Sequence, residues 1–246
     1  MNMPGHPRLV AGSGTTVYLL GSNGNGSLFL QRYASGWGTS PWPKLITNQF
    51  FAATVSLGGI NVLRAAQYEL VWVSGKGGPG TVLIVYAAKT ASGRAILKGA
   101  RCTDNSIGGC TDNVFTIDPG VNVFSPALGV AYVPAPPSPF PNAIVKGSWL
   151  QQHATAPSFV EVFSANLQSA SGSVTGRNET EAELPCPTTR GYWGEYDAHL
   201  GVYQSSSGAN PAFYRSFTDS TDSGCTLSFQ HTSEPVQVAS TFIPYP

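Results

Sequence analysis

Phe217-Thr218-Asp219-Ser220-Thr221-Asp222-Ser223-Gly224-Cys225-Thr226-Leu227 is the stretch on which the fold turns. Its alternate positions Ser220, Asp222, Gly224 and Thr226 combine two hydroxyls, a carboxylate and a glycine, as a hairpin turn requires. The Asp222 carboxylate is suited to accept backbone N–H groups across the turn, and Gly224 to take a left-handed conformation. The hydroxyls satisfy the remaining turn groups, so the four residues read as a folding device and not as catalysts. Just upstream, Phe213-Tyr214-Arg215-Ser216 reads as the strand feeding the hairpin, and Val236-Gln237-Val238 as a later strand.

Working outward, strand signals recur and helix signals do not. Short β-branched and aromatic runs stand at Thr15-Thr16-Val17-Tyr18-Leu19-Leu20, Ser27-Leu28-Phe29-Leu30-Gln31-Arg32-Tyr33 and Glu69-Leu70-Val71-Trp72-Val73. Others are Thr81-Val82-Leu83-Ile84-Val85-Tyr86, Ser158-Phe159-Val160-Glu161-Val162-Phe163 and Pro211-Ala212-Phe213-Tyr214-Arg215-Ser216-Phe217. Glycine-rich turns such as Gly21-Ser22-Asn23-Gly24-Asn25-Gly26 separate them. A pattern of apolar strand, turn, apolar-aromatic strand, turn and polar strand starts near His6, Asn61, Ser125 and Trp193. The period of about 60 residues exceeds a compact propeller blade and leaves one sizeable loop per repeat. The run Pro134-Ala135-Pro136-Pro137-Ser138-Pro139-Phe140-Pro141 is expected to be such a loop, since proline pairs poorly in sheets. The expected fold is all-β: a propeller of four-stranded antiparallel blades, in one domain over residues 1–246, with about four blade units. Those units suit a complete propeller or part of a larger one. A β-sandwich or jelly roll is the second choice.

Composition narrows the function classes. Only 11% of the 246 residues are charged, against about 25% in an average soluble domain, while glycine (28) and proline (19) are abundant. Thirteen basic and thirteen acidic residues cancel, so no basic stripe exists to neutralise phosphates and nucleic acid is excluded as an expected partner. No apolar run reaches the length of a membrane span, and the first residues lack the charged and apolar regions of a signal peptide. Neither a cofactor nor a metal is expected. The motifs of P-loops, dinucleotide folds, zinc proteases and serine hydrolases are absent.

Four cysteines allow three pairings. Cys102 and Cys110 close a short loop with two glycines, which leaves Cys186 and Cys225 as a long-range pair. Loop-closure entropy values the two bridges at about 2.6 and 3.9 kcal/mol. Disulfides place the chain in an oxidising, extracellular or otherwise extracytoplasmic setting. Four reduced, buried cysteines are the alternative. Asn25 and Asn178 stand in glycosylation sequons, and both are expected to be accessible if the source glycosylates.

The Ser220/Asp222/Gly224/Thr226 pattern resembles the Asp-box of sialidase-like, or BNR-repeat, β-propellers, with Leu227 where that pattern has an aromatic residue. Gly191-Tyr192-Trp193-Gly194-Glu195-Tyr196-Asp197-Ala198-His199 resembles the Trp-Gly-Asp-Tyr stretch that opens an inner strand in many such propellers, with Glu195 in place of Asp. The resemblance implies that this segment lines a central channel, where Trp193 and Tyr196 stack on sugar rings and Glu195 and Asp197 accept sugar hydroxyls. Trp193, Glu195, Tyr196 and Asp197 are therefore the candidate ligand residues. The competing structural reading packs Trp193 and Tyr196 between blades and lets Glu195 and Asp197 cap a turn.

Catalysis is left open. A sialidase needs an arginine clamp, a Tyr–Glu nucleophile pair and an acid. Arg8, Arg64, Arg190 and Arg215 lie near expected strands, but none sits in the Arg-Ile-Pro motif that opens the family. His153 and His199 have no nucleophile beside them in the chain. The first expectation is a secreted, non-catalytic propeller that binds a glycan or another extracellular macromolecule. A sialidase-like glycoside hydrolase is the second, and a structural subunit of a surface or fibre assembly the third.

Overall fold

The computed structural model describes residues 7–23, 26–33, 44–50, 55–57, 60–62, 68–74, 80–103, 109–135, 138–152, 160–167, 174–184, 191–193, 199–203, 212–221 and 237–243. Among them every regular element is a β-strand. The first sheet runs β1 (Arg8–Ala11), β2 (Val17–Ser22), β3 (Leu28–Tyr33), β4 (Lys44–Thr47), each strand antiparallel to the one before. A small hairpin follows, β5 (Val55–Leu57) and β6 (Ile60–Val62). The second sheet is β7 (Tyr68–Val73), β8 (Thr81–Lys89), β9 (Ala95–Thr103), β10 (Cys110–Ile117), in chain order. The third is β11 (Val123–Ala135), β12 (Ser138–Gln152), β13 (Val160–Leu167), β14 (Val174–Leu184).

The fourth sheet contains β15 (Gly191–Trp193), β16 (His199–Tyr203), β17 (Ala212–Thr221) and β18 (Gln237–Ile243). Its order differs from the others. Asp219 pairs with Trp193 of β15 and also with Gln237 of β18, so β15 and β18 take opposite edges of β17. Ser216 likewise pairs with His199 of β16 and Ser240 of β18. Hence β15 and β16 lie end to end along one edge of β17.

Strands of successive sheets lie beside one another: β1 by β7, β7 by β11, and β11 by β16, the second strand of the fourth sheet. Four antiparallel sheets arranged in this way are propeller blades. Blade starts at Arg8, Val123 and Gly191 match the sequence rhythm closely; the second blade starts at Tyr68, and Asn61 falls in the β5–β6 hairpin.

Burial explains why the strands read as they do. β8 is buried along nearly its whole length: it is a central strand of its sheet, β11 packs against it, and it shows a continuous apolar run. One core joins the first three sheets, from Tyr18, Leu20 and Leu30 through Ile84 and Tyr86 to Val145 and Trp149. Phe124, Ala127, Ala131, Leu150, Leu200 and Phe213 are buried outside that cluster. Gly129 lets β16 approach β11: a Cβ there would stand 3.2 Å from the Leu200 side chain and carbonyl oxygen.

The expected proline loop is a correction. β11 continues to Ala135 and β12 begins at Ser138, so Pro134, Pro139 and Pro141 lie in paired strands. The physical reason is the length of β13, which pairs with β12 only at residues 146–152. Beyond that, among the described residues β12 pairs only with β11, and on an edge a missing N–H breaks no ladder.

Candidate functional site

The chain from Gly191 to Tyr203 follows β17, but not residue for residue. Trp193 stands opposite Asp219 and His199 opposite Ser216. Five residues (194–198) thus separate the paired positions on one strand, and two, Phe217 and Thr218, on the other. Glu195, Tyr196 and Asp197 fall in this interval and lie outside the described residues. β6 lies beside β15 and β11 beside β16.

Tyr192 pairs with Ser220 and Gly191 with Thr221, so the first Asp-box-like residue stands in β17 within the ladder that holds Trp193. Asp222, Gly224 and Thr226 lie outside the described residues, as do Cys186 and Cys225. Cys102 and Cys110 are joined by a disulfide and stand directly opposite each other on β9 and β10. The Thr103 N–H donates to the Gly109 carbonyl at the next position, closing the hairpin end.

Of the arginines, Arg8 is buried and joins two first strands. Its Nε donates to the Tyr68 carbonyl at 3.4 Å and lies 3.5 Å from Glu69 Oε2. Glu69 in turn accepts the Leu70 N–H at 3.0 Å. This use of Arg8 is structural. Arg215 takes its place in β17 opposite Leu200, while Arg64 and Arg190, like His153, lie outside the described residues.

Two polar features escaped the sequence reading. Lys146, 1% exposed, sits with its ammonium 5.9 Å from the centre of the Phe213 ring, and burial lowers its pKa. The signal was its parity: Val145 and Trp149 belong to the main core, so Lys146 and Ser148 take the other face of β12, toward the fourth sheet. Tyr86 donates to Asp112 Oδ1 from β8 to β10, and burial with that bond pushes the phenol well above its ordinary range. Only the fold brings these two residues together. Among the described residues no three of His, Cys, Asp and Glu are grouped to hold a metal ion, and no helix is long and apolar enough to cross a membrane.

No family model matches the chain, and no curated protein matches it significantly. Among solved structures it is similar to a thermostable family-43 glycoside hydrolase, at 8% identity and a TM-score of 0.47 over 87% of this chain. The chain spans 63% of that protein's length.

Proposed function

We propose that residues 1–246 form one extracytoplasmic propeller domain of sialidase-like type that binds glycans without catalysis, using Trp193, Glu195, Tyr196 and Asp197. The observation that supports this reading is the register along β17. Trp193 is paired in β15, and Glu195, Tyr196 and Asp197 fall in the interval of five residues that stands against two of β17. Aromatic faces stack on the apolar faces of sugars and carboxylates accept their hydroxyls, so this residue set suits a saccharide better than an apolar ligand. The pairing of β15 and β16 with β17 holds the segment's ends, which limits the ordering cost of binding. The Cys102–Cys110 disulfide supports the oxidising setting.

A glycan array with the full chain tests the reading. Retained glycans, with the signal lost in Trp193→Ala, are expected; an array without signal overturns it. A panel of fluorogenic glycosides separates binding from hydrolysis, and turnover by the wild-type chain would replace the non-catalytic assignment with a hydrolase.

A further inference from the structure

The two faces of the first sheet have different surroundings. Pairing sets Leu9 opposite Leu19, Ala11 opposite Val17 and Phe29 opposite Leu45. Gly21, two residues after Leu19, stands opposite Phe29 and carries the same face from β2 to β3. Opposed residues share a face, so these six side chains stand on one side of the sheet. Tyr18, Leu20, Leu28 and Leu30 alternate with them and enter the core shared with the second and third sheets. The other side is open. Leu9 is 61% exposed and Leu45 47%, the two most exposed large hydrophobic residues among those described. Val17, Leu19 and Phe29 between them are partly buried.

A contiguous apolar face in water marks an interaction surface, and its chemistry narrows the occupant. Its polar members among the described residues are Gln31 and Tyr33, opposite Leu19 and Val17, and none is charged. An anionic bilayer or a nucleic acid calls for basic residues. A second copy calls for none. Apposing the face with its own twin strands no charge, and a net charge of zero lets two copies meet without repulsion. Sheets of this chain already pack side by side, β1 by β7 and β7 by β11. Like-on-like apposition about a twofold axis closes after two copies.

Strand spacing and rise give the face a projected area of roughly 300 Å². That is below the roughly 800 Å² per partner of a standard interface, so the association is weak, with a Kd on the order of 100 μM.

We infer that the open face of β1–β4 docks on the same face of a second copy, with Leu9, Leu19, Phe29 and Leu45 packing against their counterparts.

Sedimentation of the chain from about 5 to about 500 μM tests this, the mass being expected to climb from 25.8 kDa toward twice that value. Two variants carry charge on the face, Leu9→Glu/Leu45→Glu and Leu9→Lys/Leu45→Lys. Both positions are exposed, so melting curves are expected to show each variant folded. Each alone is expected to associate at least tenfold more weakly than wild type, and an equimolar mixture of the two to recover a dimer. That pattern supports the inference. A wild-type chain that stays monomeric throughout, or a dimer that both variants leave unchanged, overturns it. Growth beyond two copies, or a mixture that stays monomeric, overturns the like-on-like pairing.

Discussion

Trp193 stands directly opposite Asp219 on β17, one pair from Tyr192 and Ser220, the first residue of the Asp-box-like pattern. A candidate ligand residue and a candidate folding device therefore share one short ladder. Changes to each should separate by what they damage. Asp222→Ala removes charge-assisted bonds from the turn and is expected to lower stability by about 1.5–3 kcal/mol. Trp193→Ala and Glu195→Ala are expected to reduce glycan binding with a smaller shift in melting point. Should Trp193→Ala instead cost about 3–5 kcal/mol with binding preserved, the tryptophan is a packing residue.

The same ladder bears on the second disulfide. Gly191 pairs with Thr221; Cys186 lies five residues before the one and Cys225 four residues after the other. Antiparallel pairing sends both segments away from the same end of the ladder. Non-reducing peptide mapping is expected to find Cys186–Cys225 beside Cys102–Cys110. Free thiols at 186 and 225 would refute it.

Lys146 gives a pH dependence with a definite sign. Burial lowers its pKa in the folded protein, so between that value and the ordinary lysine value the unfolded chain holds the extra proton. Stability contributed by this group therefore rises with pH through that window. Tyr86 works in the opposite sense, because its raised pKa means the unfolded chain ionises first as pH climbs past the ordinary tyrosine value. The difference between wild type and Lys146→Met isolates the lysine. Urea unfolding at pH 7 is expected to find the methionine variant neutral to about 2 kcal/mol more stable, with the difference narrowing toward pH 10. A variant less stable at pH 7 would show that the ammonium's contacts, the Phe213 ring among them, outweigh its burial.

Gly99 and Phe115 offer a test of packing in the second blade. They are direct cross-strand partners, and a Cβ on Gly99 would be driven into the Phe115 ring. Gly99→Ala is expected to cost about 1–3 kcal/mol by urea unfolding. Adding Phe115→Leu should recover part of that loss, since a smaller side chain relieves the overlap. Strict additivity of the two changes would mean that the ring moves aside freely.

Much of the strand pattern was legible along the chain. The runs at 69–73 and 81–86 fall within observed strands, and those at 15–20, 27–33, 158–163 and 211–217 each overlap one that starts one or two residues later. The Cys102–Cys110 bridge was legible too, because a short glycine-containing loop brings its own ends together. The proline run misled, because proline's penalty depends on whether a further strand needs its N–H. At 138–145 of β12 none among the described residues does.

What the sequence alone determined is local: which segments extend, which face of each is apolar, where the chain turns, and a four-fold rhythm. Periodicity encodes the face of a strand because side chains alternate within the strand itself. It carries no information about which strand lies alongside. Only the tertiary structure decided that β15 and β16 share one edge of β17, that Lys146 is enclosed near Phe213, and that β6 lies beside β15. Each of those depends on contacts between segments far apart in the chain, where the packing of whole sheets, and not the pattern of any one strand, sets the neighbour.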